Sequence, residues 1–132
     1  MNKKETEIIL HRIKKWYKKL PEHFIYDKIP FKAVYGWSKE PTPFSKRLSL
    51  NYKPVKEGDL WGKKWESAWF HLNGNVPQHW EGKAVYADLD FSGEGLVRNS
   101  KGVILQGITN GSIWDKNFAR RKVPIIECSS GK

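Results

Sequence analysis

The sequence predicts a mainly β chain, an antiparallel β-sandwich of the jelly-roll kind, preceded by one amphipathic helix. Aromatic residues make up 14% of the chain, whereas Met occurs once, and this composition favours strands over a helical bundle. Short runs of alternating apolar and polar residues are separated by Gly and Asn turn signals, as in sandwiches and jelly rolls. Near the start, by contrast, apolar residues recur at helical spacing.

The chain divides into two stretches of different character, although its length suits one domain. Residues 1–57 are predicted to form the helix and a tether that wraps over a larger body. Residues 58–132 are predicted to form the β-sandwich body, and the chain is expected to stop before the sandwich is complete at its C-terminal end. A sheet edge left open in this way would expose unpaired backbone groups, so self-association through that edge is expected.

The helix is predicted over residues 5–20. Its apolar residues fall at spacings of four, three and four, which places them on one face: Ile9, Ile13, Trp16 and Leu20. Thr6 is the expected N-cap, and Pro21 is expected to end the helix because it disfavours the helical conformation of the preceding residue. Docking against a neighbouring domain is the simplest role, and a membrane-surface helix is the alternative.

Within the tether, five prolines interrupt every regular run, and residues 33–37 and 47–52 are predicted to pair as short strands. The β body then starts with the densest aromatic stretch of the chain. Alternation places Trp65 and Trp69 on one side of a strand and Phe70 on the other. Because both sides carry aromatic surface, this strand is expected to be central and covered on both faces.

The later strands alternate with turns. Residues 83–91 are predicted to form a strand with one apolar face, and residues 94–98 and 103–108 to form a hairpin across a tight Asn-Ser-Lys-Gly connection. Further strands are predicted at residues 112–118 and 122–127. Pro124 lies in the last run and favours a sheet edge or a bulge there. One apolar face is expected to consist of Val85, Ala87, Leu89 and Phe91.

The titratable residues give no recognisable catalytic motif. The four histidines lack metal-binding spacing, and Cys128, the sole cysteine, excludes an intrachain disulfide, which fits a reducing compartment. Asp88 and Asp90 lie two apart on a strand and could serve a glycoside-hydrolysing pair. An exposed strand face is the favoured interpretation of that spacing. Glu94 and Asp115 are further candidate carboxylates.

The formal net charge is +10, and nearly all of the excess lies in the first half of the chain. Such asymmetry can indicate an anionic partner, so a basic nucleic-acid-binding domain is one alternative function. The basic residues, however, are mostly Lys and are interspersed with acids. Solvation of a surface helix and loops is therefore the favoured explanation, with neither nucleic acid nor membrane as the expected partner. No apolar run approaches transmembrane length.

The stretch from Trp61 to Asp115 resembles the N-terminal domain of α-mannosidases of glycoside hydrolase family 38, in the cytosolic, vacuolar and bacterial branch. The resemblance rests on a combination of pieces: a Trp-Gly, Trp, Trp-Phe, Val-Pro and Trp series, then Leu-Asp-Phe, Gly-Glu-Gly-Leu-Val, and Leu-Gln-Gly-Ile-Thr-Asn-Gly-Ser. The helical lead-in is similar too. Nearly the whole chain is covered by this resemblance.

The resemblance implies a galactose-binding-like β-sandwich that precedes a large catalytic domain on the same polypeptide. That domain would hydrolyse terminal α-mannosyl linkages with an Asp nucleophile and a divalent metal, usually zinc, held by His and Asp. No position of this chain matches those motifs, so no catalytic or metal-binding residue and no cofactor is assigned to it. The parent enzyme is expected in the cytoplasm.

The expected function is therefore that of a non-catalytic accessory domain, which supports or borders the catalytic domain and has no hydrolytic activity alone. Trp61, Trp80 and Trp114 lie beside turns or in loops and are the predicted contacts with that domain or with a mannose-containing glycan. The main alternative is a free-standing carbohydrate-binding module in which loop tryptophans stack on sugars.

Overall fold

The computed structural model describes residues 2–25, 27–109 and 119–126. The described chain is mainly β with antiparallel sheets and one N-terminal helix, as the sequence predicts. It divides into two compact units, Met1–Phe31 and Lys32–Lys132. The sequence analysis placed the start of the β body later, at residue 58, but two strands of the second unit come from the predicted tether.

Helix α1 spans Lys3–Phe24 and is capped by Asn2, not by the predicted Thr6. The Asn2 side chain accepts a hydrogen bond from the backbone N–H of Glu5 at 2.9 Å, and the Glu5 carboxylate accepts from the backbone N–H of Asn2 at 2.8 Å. This reciprocal capping box satisfies two backbone donors at the exposed helix start. The helix consequently begins earlier than the apolar pattern indicates.

The predicted end of the helix at Pro21 is also wrong, because α1 continues to Phe24 and the N–H of Ile25 donates to the carbonyl of Pro21 at 3.1 Å. A proline inside a helix removes one hydrogen bond to the carbonyl four residues earlier, here that of Tyr17. Tyr17 is 73% exposed, so water can replace that bond. A proline in the last turn therefore leaves the helix intact.

A three-stranded antiparallel sheet, sheet A, consists of β1 (Lys32–Ser38), β2 (Tyr52–Val55) and β3 (Ser67–Asn73) in the order β2-β1-β3. The predicted strand at 33–37 is confirmed as β1. The predicted partner at 47–52 is wrong, since Phe44–Ser49 forms a 3₁₀ turn and β2 begins at Tyr52. Local hydrogen bonds such as Leu50 N–H to Arg47 carbonyl, 3.3 Å, hold that turn.

Strand β3 carries the tryptophan-rich stretch, but among the described strands it pairs with β1 alone, at an edge of sheet A instead of at its centre. Its residues on both faces are half-buried. Trp65 does not belong to the strand: its φ is 70° and its side chain is 88% exposed. The turn that carries it is closed by the Glu66 N–H, which donates to the Lys63 carbonyl at 3.2 Å.

The remaining strands form two antiparallel pairs. The predicted hairpin is confirmed as β5 (Glu94–Arg98) with β6 (Ile104–Thr109), and Gly102 adopts the left-handed φ of 86° that its turn requires. β4 (Val85–Asp88) pairs with β7 (Lys122–Ile126). The register shifts where Tyr86 faces Pro124, so the bulge expected from the proline is present.

Within the described residues, the buried apolar side chains come from β4, β6, β7 and the residue after β4. Buried and exposed residues alternate along β4, which confirms the predicted apolar face, although Phe91 is only half-buried. The predicted strand at 112–118 lies outside the described residues. The buried side chains are Val85, Ala87, Leu89, Ile108 and Val123.

Candidate functional site

One face of sheet A holds an aromatic cluster around Phe70 of β3. The Phe70 ring lies 4.3 Å from that of Phe91, 5.3 Å from that of Trp61 and 5.9 Å from that of Tyr35, measured between centroids. The Trp61 indole N–H donates to the Phe91 carbonyl at 2.9 Å. The polar edge of this half-buried indole is thereby satisfied, and Trp61 joins the loop before β3 to the segment after β4.

The other two predicted contact tryptophans have different surroundings. Trp80 ends the 3₁₀ turn Gln78–Trp80, is half-buried, and lies edge-on to His79 at 6.3 Å. Trp114 lies outside the described residues. The structure therefore places Trp61 in the packing of sheet A and Trp80 in a separate surface turn.

The opposite face of sheet A carries a polar network. The Tyr52 hydroxyl donates to the Arg47 carbonyl at 3.0 Å and lies 2.9 Å from Nε2 of His71. Burial raises the pKa of the Tyr52 hydroxyl, and the nearby Arg47 charge opposes that shift. Gly36 of β1 leaves room here, because a Cβ at this position would lie 2.7 Å from Cβ of Leu50. These contacts seat the 3₁₀ turn on the sheet.

Phe44, in the same 3₁₀ turn, joins this face to the β5–β6 hairpin. The Arg47 guanidinium lies 3.7 Å from the Phe44 ring centroid and the Arg98 guanidinium 5.2 Å from it, both as cation–π contacts. Trp69 meets the ring edge-on at 5.9 Å. The close approach of Phe44 explains why residue 102 is Gly, since a Cβ there would lie 2.7 Å from the ring.

The carboxylates considered for glycoside hydrolysis form an ion-paired group. Arg121 lies 3.2 Å from a carboxylate oxygen of Asp88 and 3.2 Å from one of Asp90. The two Asp side chains are 47% and 40% exposed, so the pair lies on a solvent face, as favoured by the sequence. Glu94 is exposed on β5. Asp115 lies outside the described residues.

Among residues 2–25, 27–109 and 119–126, no three His, Cys, Asp or Glu side chains come together as metal ligands would. In the same part of the chain, no helix has the length and hydropathy needed to cross a membrane.

Trp37 is a surface residue that the sequence analysis did not select. Its side chain is 49% exposed, and its indole N–H donates to Oε2 of Glu66 at 2.8 Å. The same oxygen accepts the backbone N–H of Lys63 at 2.7 Å. The bond from the Lys63 backbone, which has the larger effect, and the bond from the Trp37 indole both lower the pKa of the Glu66 carboxyl. An exposed indole is thus held in one orientation by a charged acceptor.

A groove of about 250 Å³ lies beside this indole. It is lined by Tyr35 and Trp37 of β1, by Lys53 of β2 and by Asn51 just before β2. Tyr35 and Lys53 are cross-strand partners, so their side chains point to the same face. Alternation along β1 puts Tyr35 and Trp37 on one face, a signal that was not used in predicting the site, and the polar half of the groove depends on the pairing register of β1 with β2.

Comparison with known proteins identifies the family of this chain. A family model described as "Alpha-mannosidase, jelly roll domain" matches residues 29–132. The chain belongs to this family. The match confirms the predicted resemblance and the jelly-roll fold class. It begins close to β1, in agreement with the division of the structure after Phe31.

Curated relatives of this α-mannosidase jelly-roll domain have consistent names. The chain is 30% identical over 92 residues to "Alpha-mannosidase G" of Dictyostelium discoideum, 70% of this chain and 8% of that protein. It is 31% identical over 70 residues to "Alpha-mannosidase 2C1" of Homo sapiens and 33% identical over 70 residues to that of Mus musculus, each 53% of this chain and 7% of the relative. The matched regions thus span less than a tenth of each relative. No solved structure matches the chain significantly.

Proposed function

We propose that this jelly-roll domain is a non-catalytic accessory domain of an α-mannosidase that hydrolyses terminal α-mannosyl linkages in glycans. The observation that carries the proposal is the match to the α-mannosidase jelly-roll family over residues 29–132. The relatives are named α-mannosidases, and the chain corresponds to 7–8% of their length. Catalysis would then belong to a separate domain of the same polypeptide, which this domain supports or borders.

The arrangement of Asp88 and Asp90 supports the non-catalytic part of the proposal. A glycosidase needs one carboxyl group that holds a proton for the leaving group and a second that acts as nucleophile or base. Here both carboxylates share the Arg121 guanidinium, each at 3.2 Å, on an exposed surface. An exposed ion pair of this kind contributes modestly to the stability of the fold, and it gives the two carboxylates the same surroundings instead of two different catalytic roles.

The proposal extends to the catalytic domain only by analogy with the family. We infer an enzyme of glycoside hydrolase family 38, with a divalent metal, zinc, bound in the catalytic domain. A cytoplasmic location is part of the same proposal. It is supported by the presence of one cysteine in the chain, which fits a reducing compartment.

Trp61, Trp80 and Trp114 remain the proposed contacts with the catalytic domain or with its glycan. The position of Trp61 supports a role in holding the shape of the contact surface, because its indole is bonded to the Phe91 carbonyl and packed on Phe70. Trp80 is half-buried in a surface turn, where a neighbouring domain could cover the remainder of its ring.

Hydrolysis of 4-nitrophenyl α-mannoside by the purified chain tests the proposal. We expect no release of nitrophenol above the buffer rate, with or without added zinc. The double variant Asp88→Asn, Asp90→Asn is the matched control, since it removes the two candidate carboxylates that lie together on Arg121 and keeps their size. Turnover by the unchanged chain that this double variant abolishes would overturn the non-catalytic assignment.

A further inference from the structure

We propose that the groove beside Trp37 binds one pyranose ring of a glycan, with the exposed indole as the stacking surface and Lys53 and Asn51 as hydrogen-bonding groups. The groove lies on the face of sheet A that also carries the Phe70 cluster, and Tyr35 belongs to both. The choice of a mannosyl unit as the sugar rests on the proposed function, whereas the choice of a pyranose rests on the groove itself.

The indole is fixed before any ligand arrives. Its N–H donates to Glu66 at 2.8 Å, and Glu66 is held in turn by the Lys63 N–H at 2.7 Å. Gly62 approaches the ring edge, since a Cβ built there would lie 3.9 Å from Cδ1 of Trp37. An aromatic surface that is already ordered loses little conformational entropy when a ligand stacks on it. A ligand that makes few contacts can therefore still bind.

The polar groups of the groove are available to a ligand. Asn51 and Lys53 are exposed, and their side chains form no hydrogen bond or ion pair with other described residues. An ammonium group supplies three donors, and an amide supplies two donors and one acceptor. A pyranose presents hydroxyl groups that donate and accept around its edge and C–H groups on its faces. The groove offers a complementary surface to both.

Size and composition favour a sugar over a neighbouring protein domain. The groove holds about 250 Å³, below the range of about 300–1,000 Å³ that accommodates drug-sized ligands, so it suits a single ring. Lysine is depleted at the centres of protein interfaces. Lys53 nevertheless lines this groove next to Tyr35 and Trp37. A lysine among aromatic side chains is more compatible with hydroxyl recognition than with a dry domain contact.

Titration of the chain with methyl α-mannoside, followed by calorimetry and by the indole resonances in ¹H–¹⁵N spectra, tests this site. For a ligand of about a dozen non-hydrogen atoms we expect a dissociation constant of about 1–10 mM. Trp37→Ala should weaken binding at least about tenfold. Lys53→Met removes the ammonium group from an exposed position and should weaken binding without affecting folding.

Tyr86→Ala is the matched control, because it removes an exposed aromatic residue from β4, outside the groove, and should leave the affinity unchanged. No saturable binding up to about 100 mM of either methyl α-mannoside or methyl β-galactoside would overturn the site. Equal affinity in Trp37→Ala, Lys53→Met and the unchanged chain would do so too.

The binding result and the hydrolysis result are separable. Galactoside binding that depends on Trp37, without mannoside binding, would support a pyranose site and count against the choice of mannose. If no sugar binds, and Trp37→Ala weakens the association of this domain with a catalytic domain, the groove is a protein contact and the sugar site is refuted. Neither of these binding results bears on the hydrolysis assay, which tests the proposed function separately.

Discussion

The hydroxyl of Tyr52 and Nε2 of His71 lie 2.9 Å apart across β1, on the two strands that flank it in sheet A, with their rings edge-on at 4.6 Å. The same hydroxyl donates its one proton to the Arg47 carbonyl at 3.0 Å. The imidazole must therefore be the donor in the second bond, which assigns a proton to Nε2 of His71. Through these two bonds one phenol links β2, β3 and the 3₁₀ turn.

Tyr52→Phe should lower the free energy of unfolding by about 1–3 kcal/mol, because it leaves the Arg47 carbonyl and the His71 donor without their partner. Urea unfolding of the chain measures this difference. Tyr86→Phe is the matched control, since Tyr86 is 58% exposed and should tolerate the loss of its hydroxyl. Equal losses in the two variants would show that the Tyr52 network contributes nothing.

Gly36→Ala should destabilise the chain by about 1–3 kcal/mol, because the new methyl group would lie 2.7 Å from Cβ of Leu50 and 3.1 Å from Cζ of Tyr52. Gly107→Ala provides the control on β6, where the nearest atom to an added Cβ is 4.0 Å away. We expect its stability to be unchanged or raised by up to about 1 kcal/mol. Thermal unfolding of both variants gives the comparison, and a tolerated Gly36→Ala would contradict the packing of the 3₁₀ turn.

Glu66 should make the stability depend on pH in the acid range. Its pKa is lowered in the folded chain, so its contribution is complete above the unfolded pKa, near 4.5, and is lost as the pH falls through the folded pKa. The stability difference between the unchanged chain and Glu66→Gln should accordingly be larger at pH 7 than at pH 3. Urea unfolding at several pH values checks this, and parallel pH curves for the two proteins would contradict it.

Trp61 and Trp65 provide a matched pair of tryptophans with opposite expected effects. Trp61→Ala should cost about 2–4 kcal/mol, since it removes the packing on Phe70 and leaves the Phe91 carbonyl without its donor. Trp65→Gly should leave stability unchanged or raise it by up to about 1 kcal/mol, because Gly adopts a φ of 70° without strain. Chemical denaturation distinguishes them, and a large loss in Trp65→Gly would assign a structural contact to that exposed ring.

Local signals predicted the regular parts of the fold well. The β5–β6 hairpin follows from a tight turn between two alternating runs, and the buried face of β4 follows from strict alternation of Val85 and Ala87 with polar residues. In both cases the residues that decide the structure are neighbours in sequence. Contacts with distant parts of the chain therefore did not change the structure that these local signals favour.

Where the structure differs from the prediction, contacts between residues that are distant in sequence or a local turn determine the conformation. The alternation of Leu48 and Leu50 indicated a strand, yet the packing of Phe44 against the β5–β6 hairpin at Gly102 accompanies a 3₁₀ turn in that segment. Trp65 continued the strand pattern, but the turn closed by Glu66 exposes it.

The groove was missed for a related reason. Its aromatic half, Tyr35 and Trp37, lies on one strand, but Lys53 joins it only through the β1–β2 register. Sugar contacts were predicted among tryptophans beside turns, because side chains there are commonly exposed. Trp37 lies on a strand, and its exposure results from its place on the sheet face and its bond to Glu66.

The pairing of β4 with β7 has a consequence during synthesis. When only residues up to 109 have emerged from the ribosome, Val85 and Ala87 are outside it but their partners on β7 are not. Val123, which is 1% exposed in the folded structure, becomes available to pair beside Ala87 only after that point. This apolar strip on the nascent chain accordingly lacks its partner strand until residue 126 has emerged from the ribosome.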